Sequence, residues 1–367
     1  MTAAKPAIAE TNTEEITAGR ITATAPARPL EVPKPPSARR KQRDYFLRPL
    51  AEPEYGMWDA FVGRSPQGTL FHSTLWLEAS NVPFKLFGCF REDELLGGFA
   101  ASLTGSRAAG HPHPSLTPYL GLMLSKTGGK YVTSLSSNKW ITAEFARLLK
   151  AEFNSLQFRC PPEIVDLQPF IWEGYQTGLR YTYRLPVSDL DAVLNNMDRG
   201  RRYALATAGR DGVVVEDGAP FDDVMRLSEK TFARQGLQAS FRDAAFRFHS
   251  ALADAGQCRG FLARGRNGDP IAGIWIAWDE KRSYLLISGY DDGVASRNGA
   301  ALAVWHAIKF TCEELALPEF DFEGSMIPGV EQFFRKFGAT LTPTYTLSLQ
   351  PPPSLTRRVV SKVFGIR

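Results

Sequence analysis

Asp321 and Glu323 stand two apart in PEFDFEG, interleaved with Phe320 and Phe322. In an extended strand alternate side chains share a face, so the spacing predicts both carboxylates on one side and both phenylalanines in the core. Two acids beside an apolar wall push one pKa toward neutrality, which gives Glu323 the chemistry of a general base for an ammonium substrate. Asp321 has further readings, as a substrate contact, as the partner of a nearby basic side chain, or as part of a solvated strand face. Upstream, DDGVASRNGAAL brings Arg297, Asn298, Gly299 and Ala300 to the start of a helical pattern. Unpaired backbone N–H groups, a permissive glycine and an adjacent guanidinium suit a pyrophosphate there; an ordinary strand-to-helix turn uses the same residues. Tyr290 and Asp291 close the preceding strand, and the tyrosine is either an acid for a leaving thiolate or a surface aromatic. The 5 histidines are dispersed and the 4 cysteines lack CxxC or His-Cys spacing, so nucleophilic dyads, a metal site and a disulfide framework are not indicated.

These groups need elements to hold them. AGIWIAWDEKRSYLLISGY reads as a hairpin, two β-branched and aromatic runs parted by the charged turn Asp279 to Arg282. Within it Trp275 and Trp278 point to opposite faces, so one of them is expected near a cleft. ALAVWHAIKFTCEELAL follows as a helix with Leu302, Trp305, Ile308 and Cys312 at helical spacing, and GVEQFFRKFGA reads as a short helix ended by Gly338. Further upstream the pattern gives a long helix over DLDAVLNNMDRGRRYALATAGRDG, the strand VVVE, helices over Phe221 to Arg234 and around Asp243 to Ala255, and the strand GFLARG. Arg199, Arg201, Arg202 and Arg210 form a basic patch on the first of these helices, and Gln235 ends the second. A solvated charged face is the bland account of that patch.

The first half, from Tyr45, reads as a short helix over PEYGMWDAFVGRS, a second over FHSTLWLEAS capped by Ser73 or Thr74, and a hairpin turned at Arg91 to Glu94. An amphipathic helix over NKWITAEFARLLKAEFN and one or two strands between Pro161 and Val187 follow. Both halves thus run helix, helix, hairpin, helix, strand. We read a duplicated α/β module with mixed, mostly antiparallel sheets flanked by helices.

RRYALATAGRDGVVV, SEKTFARQGL, SGYDDGVASRNGAAL and DFEGSMIPGVEQFFRKFGA together resemble the GCN5-related N-acetyltransferase (GNAT) superfamily, within it the branch of FemAB-type transferases and BioF2-like acetyltransferase domains. The resemblance is good from about Leu185 to Leu349 and loose from Tyr45 to Tyr183. It implies two tandem modules, a degenerate one at 45–184 and an acetyltransferase domain at 185–350, with acyl-CoA (acetyl-CoA) as co-substrate and no permanently bound cofactor. Ile287, Ser288, Arg297, Asn298, Gly299 and Ala300 would hold the donor. Backbone N–H groups near Ile287 to Tyr290 would stabilise the oxyanion. Glu323 and Tyr290 would act as base and acid, and Arg201, Gln235, Trp275, Asp291, Asp321 and Arg335 would meet the acceptor amine. The implied acceptors are amino sugars or amino acids of envelope or exopolysaccharide pathways. FemAB-type relatives instead take aminoacyl groups from tRNA; many carry a lysine where this chain has Phe334, so Arg335 or Lys336 would have to substitute. The first glycine of the donor loop is also replaced, which keeps open both the tRNA-dependent reading and a catalytically silent binding protein.

The 367 residues, 44% of them hydrophobic, suffice for two well-filled cores, and a net charge of +4 is far from the dense basic clustering of DNA-binding proteins. No run approaches the roughly 18 to 20 apolar residues of a membrane span. A cytoplasmic protein is expected, with a disordered leader at 1–44 rich in Ala, Thr, Pro and Glu, and a basic tail at 351–367 that would at most touch a membrane surface.

Overall fold

The hairpin of AGIWIAWDEKRSYLLISGY forms as expected in the computed structural model of the chain, which describes residues 45–349 apart from 104–108, 111–112, 127, 292, 294–297 and 325. The expected leader and tail lie outside the described residues, as does Arg297. The first half runs β1 (Tyr45–Pro49), α1 (Tyr55–Arg64), α2 (Thr74–Ala79), β2 (Phe84–Arg91), β3 (Glu94–Ser102), β4 (Ala109–Gly110), β5 (Leu122–Leu124), α3 (Tyr131–Glu152), β6 (Ser155–Arg159), α4 (Gln168–Trp172) and β7 (Gln176–Pro186). After α5 (Leu190–Asn196) and α6 (Arg199–Arg210) come β8 (Val214–Asp217), α7 (Phe221–Arg234), α8 (Arg242–Asp254), β9 (Cys258–Arg264), β10 (Pro270–Trp278), β11 (Arg282–Tyr290), α9 (Gly299–Glu313), β12 (Glu319–Asp321), α10 (Pro328–Arg335) and β13 (Thr340–Leu349). From β8 onward, and with β4 set aside, the second half repeats the first element for element.

Each half contributes a meander in chain order, β1-β2-β3-β5 and β8-β9-β10-β11. The first is a separate four-stranded sheet; the second continues into a nine-stranded sheet of order β4-β6-β13-β7-β12-β11-β10-β9-β8. Among the described residues only the pairs β4–β6 and β11–β12 are parallel. The terminal strands cross over: β7 pairs with β12 of the second half, and β13 lies between β6 and β7. The boundary expected at 184/185 therefore falls inside β7, and all described residues belong to one compact unit.

Two apolar layers cover the large sheet. One packs Ile274, Val304, Ile308, Phe320 and Phe337, and the other packs Trp275, Tyr284, Phe221 and Phe248 together with Phe71 and Trp76 of the first half. Trp76 stacks on Phe248 at 3.9 Å and Phe71 meets Tyr284 edge-on at 4.8 Å. Such pairs contribute about 0.5–1.5 kcal/mol each beyond their buried area. The β10–β11 turn is held from the same side: Asp279 accepts from Leu70 N (2.9 Å), and Lys281 donates to Ser65 O (2.9 Å).

Local capping explains where the sequence expectations were right and where they were not. Ser73 caps α2 by accepting from Trp76 N. The single helix expected over 189–212 is two, because Met197 is extended and the Asp198 side chain accepts from Arg201 N to start α6 afresh. α3 begins at Tyr131, well before the expected NKW, and QPFIW is the helix α4 with a proline in its first turn. No helix among the described residues is long and apolar enough to cross a membrane.

Candidate functional site

The sheet opens beside β11. This strand pairs with β10 along its length, with Leu286 inserted as a bulge where Trp275↔Ile287 is followed by Ile276↔Leu285. On its other edge it pairs with β12 through only three positions, Arg282↔Glu319, Ser283↔Phe320 and Tyr284↔Asp321. Beyond them the chain after β12 stays with β7, where Phe322 N donates to Tyr183 O at 2.9 Å. Glu323 and Gly324 both take the left-handed conformation, with φ of 56° and 67°. A Cβ on Gly324 would lie 2.1 Å from Tyr181 O, so glycine is required there. The edge of β11 from Leu285 to Tyr290 is thus left without a strand partner among the described residues. Its side chains alternate, Ile287 buried and Ser288 exposed.

Strict alternation of Asp321 and Glu323 on one strand face does not survive this turn. Asp321 is completely buried and accepts from Tyr119 Oη (3.1 Å), Thr182 Oγ1 (2.6 Å), Arg184 Nε (3.1 Å) and Glu323 N (2.8 Å). With four donors it has no capacity left for substrate, which corrects the expected substrate contact. It instead fixes the Glu323 backbone. Behind it, Arg184 and Arg282 share Glu163 (2.6 and 3.0 Å), and Arg282 also pairs with Glu319 at 3.0 Å. Burial disfavours the Arg184 charge, but Asp321, Glu163 and Glu319 outweigh it and hold the guanidinium above its usual range.

Glu323 is the acid that remains available. Its Oε1 is buried without a hydrogen-bond partner among the described residues, although the residue as a whole is half-buried. Burial, then the neighbouring Asp321, pushes its carboxyl well above the usual range, against an opposing pull from Arg159. Tyr119 stays a phenol for the same reason, burial first and Asp321 second. Arg159 enters from β6, its amide donating to His113 Nε2 at 2.6 Å and its carbonyl accepting from Leu120 N at 2.9 Å. His113 is held down at about 3 by burial and then by Arg159, so it is neutral, and with Nε2 accepting, its proton is on Nδ1. Neither Arg159, Tyr119, Thr182 nor Arg184 carries a local sequence signal; each is brought in by strands far away in the chain.

At the expected donor loop, Asn298 precedes α9, and Gly299 and Ala300 are its first residues. The first amides of such a helix have no intrahelical acceptor and favour an anion. Gly299 is there for packing: a Cβ would sit 2.6 Å from Ile271 Cγ2. Close approach also explains Gly289, where a Cβ would be 2.2 Å from Ser228 N of α7. Tyr290 is 46% exposed, with the Arg234 guanidinium 4.3 Å above its ring. Asp291 pairs with Lys230 at 2.6 Å, which holds its carboxyl below the usual range.

Other expected contacts lie elsewhere. Trp275 is fully buried against Phe221 in the core, so neither acceptor nor cleft reaches it. Arg201 is not part of a surface patch: its guanidinium lies over Phe333 and Phe337 at 4.1 and 4.5 Å and donates to Phe333 O at 2.9 Å. Burial pushes it down to about 10, and it clamps α6 to α10. Gln235 is exposed at the end of α7, and Arg335 is exposed on α10, paired with Glu331 at 2.9 Å. A cavity of about 560 Å³ lies in the first half, lined by Arg91, Lys126 and Ser134, away from Glu323.

The sequence profile of the acetyltransferase (GNAT) domain family matches residues 192–335. Among solved structures, FemX has a TM-score of 0.62 at 14% identity, over 87% of this chain and 99% of that one. A conserved protein of unknown function from Bacteroides thetaiotaomicron follows, with 0.54 at 12%, over 83% and 99%. A tandem GNAT protein from the clavulanic acid biosynthesis pathway gives 0.50 at 11%, over 85% and 100%. These likenesses identify the fold. A search of curated protein sequences gives no significant match.

Proposed function

We propose that the protein, an acyltransferase whose residues 192–335 match the acetyltransferase (GNAT) domain family within a tandem α/β fold, moves an acyl group from an acyl-CoA thioester to an amine. The observation that carries this reading is the parting of β11 from β12 directly beside Glu323. An extended thioester arm fits the unpaired edge of β11, with its phosphates toward the start of α9. Backbone N–H groups at and after the Leu286 bulge are the proposed donors to the carbonyl oxygen as it gains charge.

Glu323 is the proposed base. At rest its buried carboxyl favours the neutral form, and an ammonium entering beside it favours the carboxylate instead. The ammonium gives one proton to Glu323 and the nitrogen attacks the thioester carbon. The C–N bond forms as the C–S bond breaks, and the remaining extra proton goes to the leaving thiolate, with Tyr290 as its proposed relay. An acceptor of the amino sugar or amino acid class, in an envelope or exopolysaccharide pathway, is the reading that family resemblance supports.

The test is calorimetry of the full chain with coenzyme A, together with thiol release from acetyl-CoA in the presence of amines. Coenzyme A binding and amine-dependent thiol release are expected. Absence of both, with transfer from aminoacyl-tRNA, would move the donor assignment to the tRNA-dependent alternative.

A further inference from the structure

The free edge of β11 is closed at its far end by side chains of α7. Asp291 N donates to Ile271 O at 2.8 Å, and in an antiparallel ladder the residue before it, Tyr290, then turns its N–H and C=O away from β10, toward the edge that β12 has left. Both groups are engaged. Thr231 Oγ1 accepts from Tyr290 N at 3.0 Å and shares its own proton between Leu227 O (3.1 Å) and Tyr290 O (3.3 Å). Arg234 Nη1 donates to Tyr290 O at 2.8 Å, and its Nη2 donates to Thr231 Oγ1 at 3.2 Å. The side chains reach the strand because Gly289 lets α7 lie directly on it, and the Lys230–Asp291 pair fastens the next residue to the same helix. Two residues back, Ser288 presents its N–H and C=O to the same edge, where they have no partner among the described residues.

We propose that Thr231 and Arg234 determine donor choice by closing the Tyr290 position, so that β11 reads a single amide of the donor arm, at Ser288, and the arm leaves the strand there. This rests on the reading of the β11 edge as the donor site. An arm lying along a strand edge meets a fresh pair of backbone groups every second residue, about 6.8 Å on. The arm of coenzyme A carries two amides, one β-amino-acid unit apart. With the nearer one on Ser288, the farther one falls beside Tyr290, whose donor and acceptor α7 already holds. The farther half of the arm therefore gains no backbone pairing, and the strand recognises a short thioester with one amide as well as a long one with two.

The test compares the full chain with its double variant Thr231→Val, Arg234→Met. The donors are S-acetyl-N-acetylcysteamine, with one amide, and S-acetylpantetheine, with two, each used with the amine that best supports thiol release. The readout is the ratio of kcat/KM for the longer donor to that for the shorter, in which any change to the relay role of Tyr290 cancels. In the parent chain this ratio is expected near unity. In the double variant the Tyr290 groups are open to the second amide, and the ratio rises about 5-fold, the worth of one ordinary hydrogen bond. A parent ratio already that high, or a ratio the double variant leaves unmoved, would overturn the assignment. Matching thermal melts establish that the variant is folded; where it melts low, Thr231→Val alone frees the Tyr290 N–H and carries the same comparison. If neither thioester is used, the donor reading fails on its own, and hydrogen exchange of the Tyr290 amide decides the closure. Slow exchange in the parent chain that quickens in Thr231→Val upholds it, and equally fast exchange in both overturns it.

Discussion

Replacing Glu323 by glutamine separates catalysis from stability, because the same buried carboxyl acts on the two with opposite sign. Removing a positioned general base lowers kcat/KM by about 10²–10⁴-fold, equivalent to roughly 3–5 kcal/mol of barrier. The parent activity climbs with pH through the raised Glu323 pKa, since attack needs the carboxylate, whereas the Glu323→Gln profile is flat over that range. For stability, a carboxyl whose pKa is raised on folding binds its proton more tightly in the folded chain. Its contribution is fully present below the unfolded value near 4.5 and is lost as pH rises through the folded value. The loss has a slope of at most about 1.4 kcal/mol per pH unit for one proton. Glutamine does not titrate, so the variant gains on the parent chain as pH rises. At roughly 2 °C per kcal/mol for a domain of this size, melts at pH 5 and pH 8 would resolve it. Activity within a few-fold of the parent chain, together with a melting difference independent of pH, would refute the burial argument for Glu323.

Asp321→Asn places an amide donor among groups that already donate, and breaking such a buried pair costs about 3–5 kcal/mol; chemical denaturation should read this loss, and a near-neutral result would contradict the four-donor arrangement. Gly324→Ala forces a Cβ onto Tyr181 O at a left-handed φ and should cost about 1–3 kcal/mol while lowering kcat by displacing Glu323. Gly299→Ala meets the branched Ile271 side chain and is expected to lower Tm before it changes donor affinity, so unaltered melting with weakened coenzyme A binding would reverse the packing assignment.

The elements with a clean period were readable in the residues. Phe221–Arg234 and the β10–β11 hairpin appear where the alternation and the helical spacing put them. Glu323 was also legible as an acid against an apolar wall, but its geometry was not. The alternation of PEFDFEG is broken by a left-handed turn whose cause is the Tyr181 carbonyl, contributed by another strand. Trp275 and Arg201 carry side chains suited to ligand contact, and only the packing of α7 and α10 reveals that their partners are protein rings. Arg159 sits in an unremarkable LQFRC. Its meaning comes from the half of the chain it faces.

The crossing of β7 and β13 has a consequence for synthesis. Each half gives its final strand to the penultimate strand of the other, as two copies of a single module would do if they exchanged ends across a dimer axis. On the ribosome, β6 therefore waits for β13 until the rest of the second half has been translated. Cleavage between the halves should release two fragments that complete the nine-stranded sheet only by reassociating.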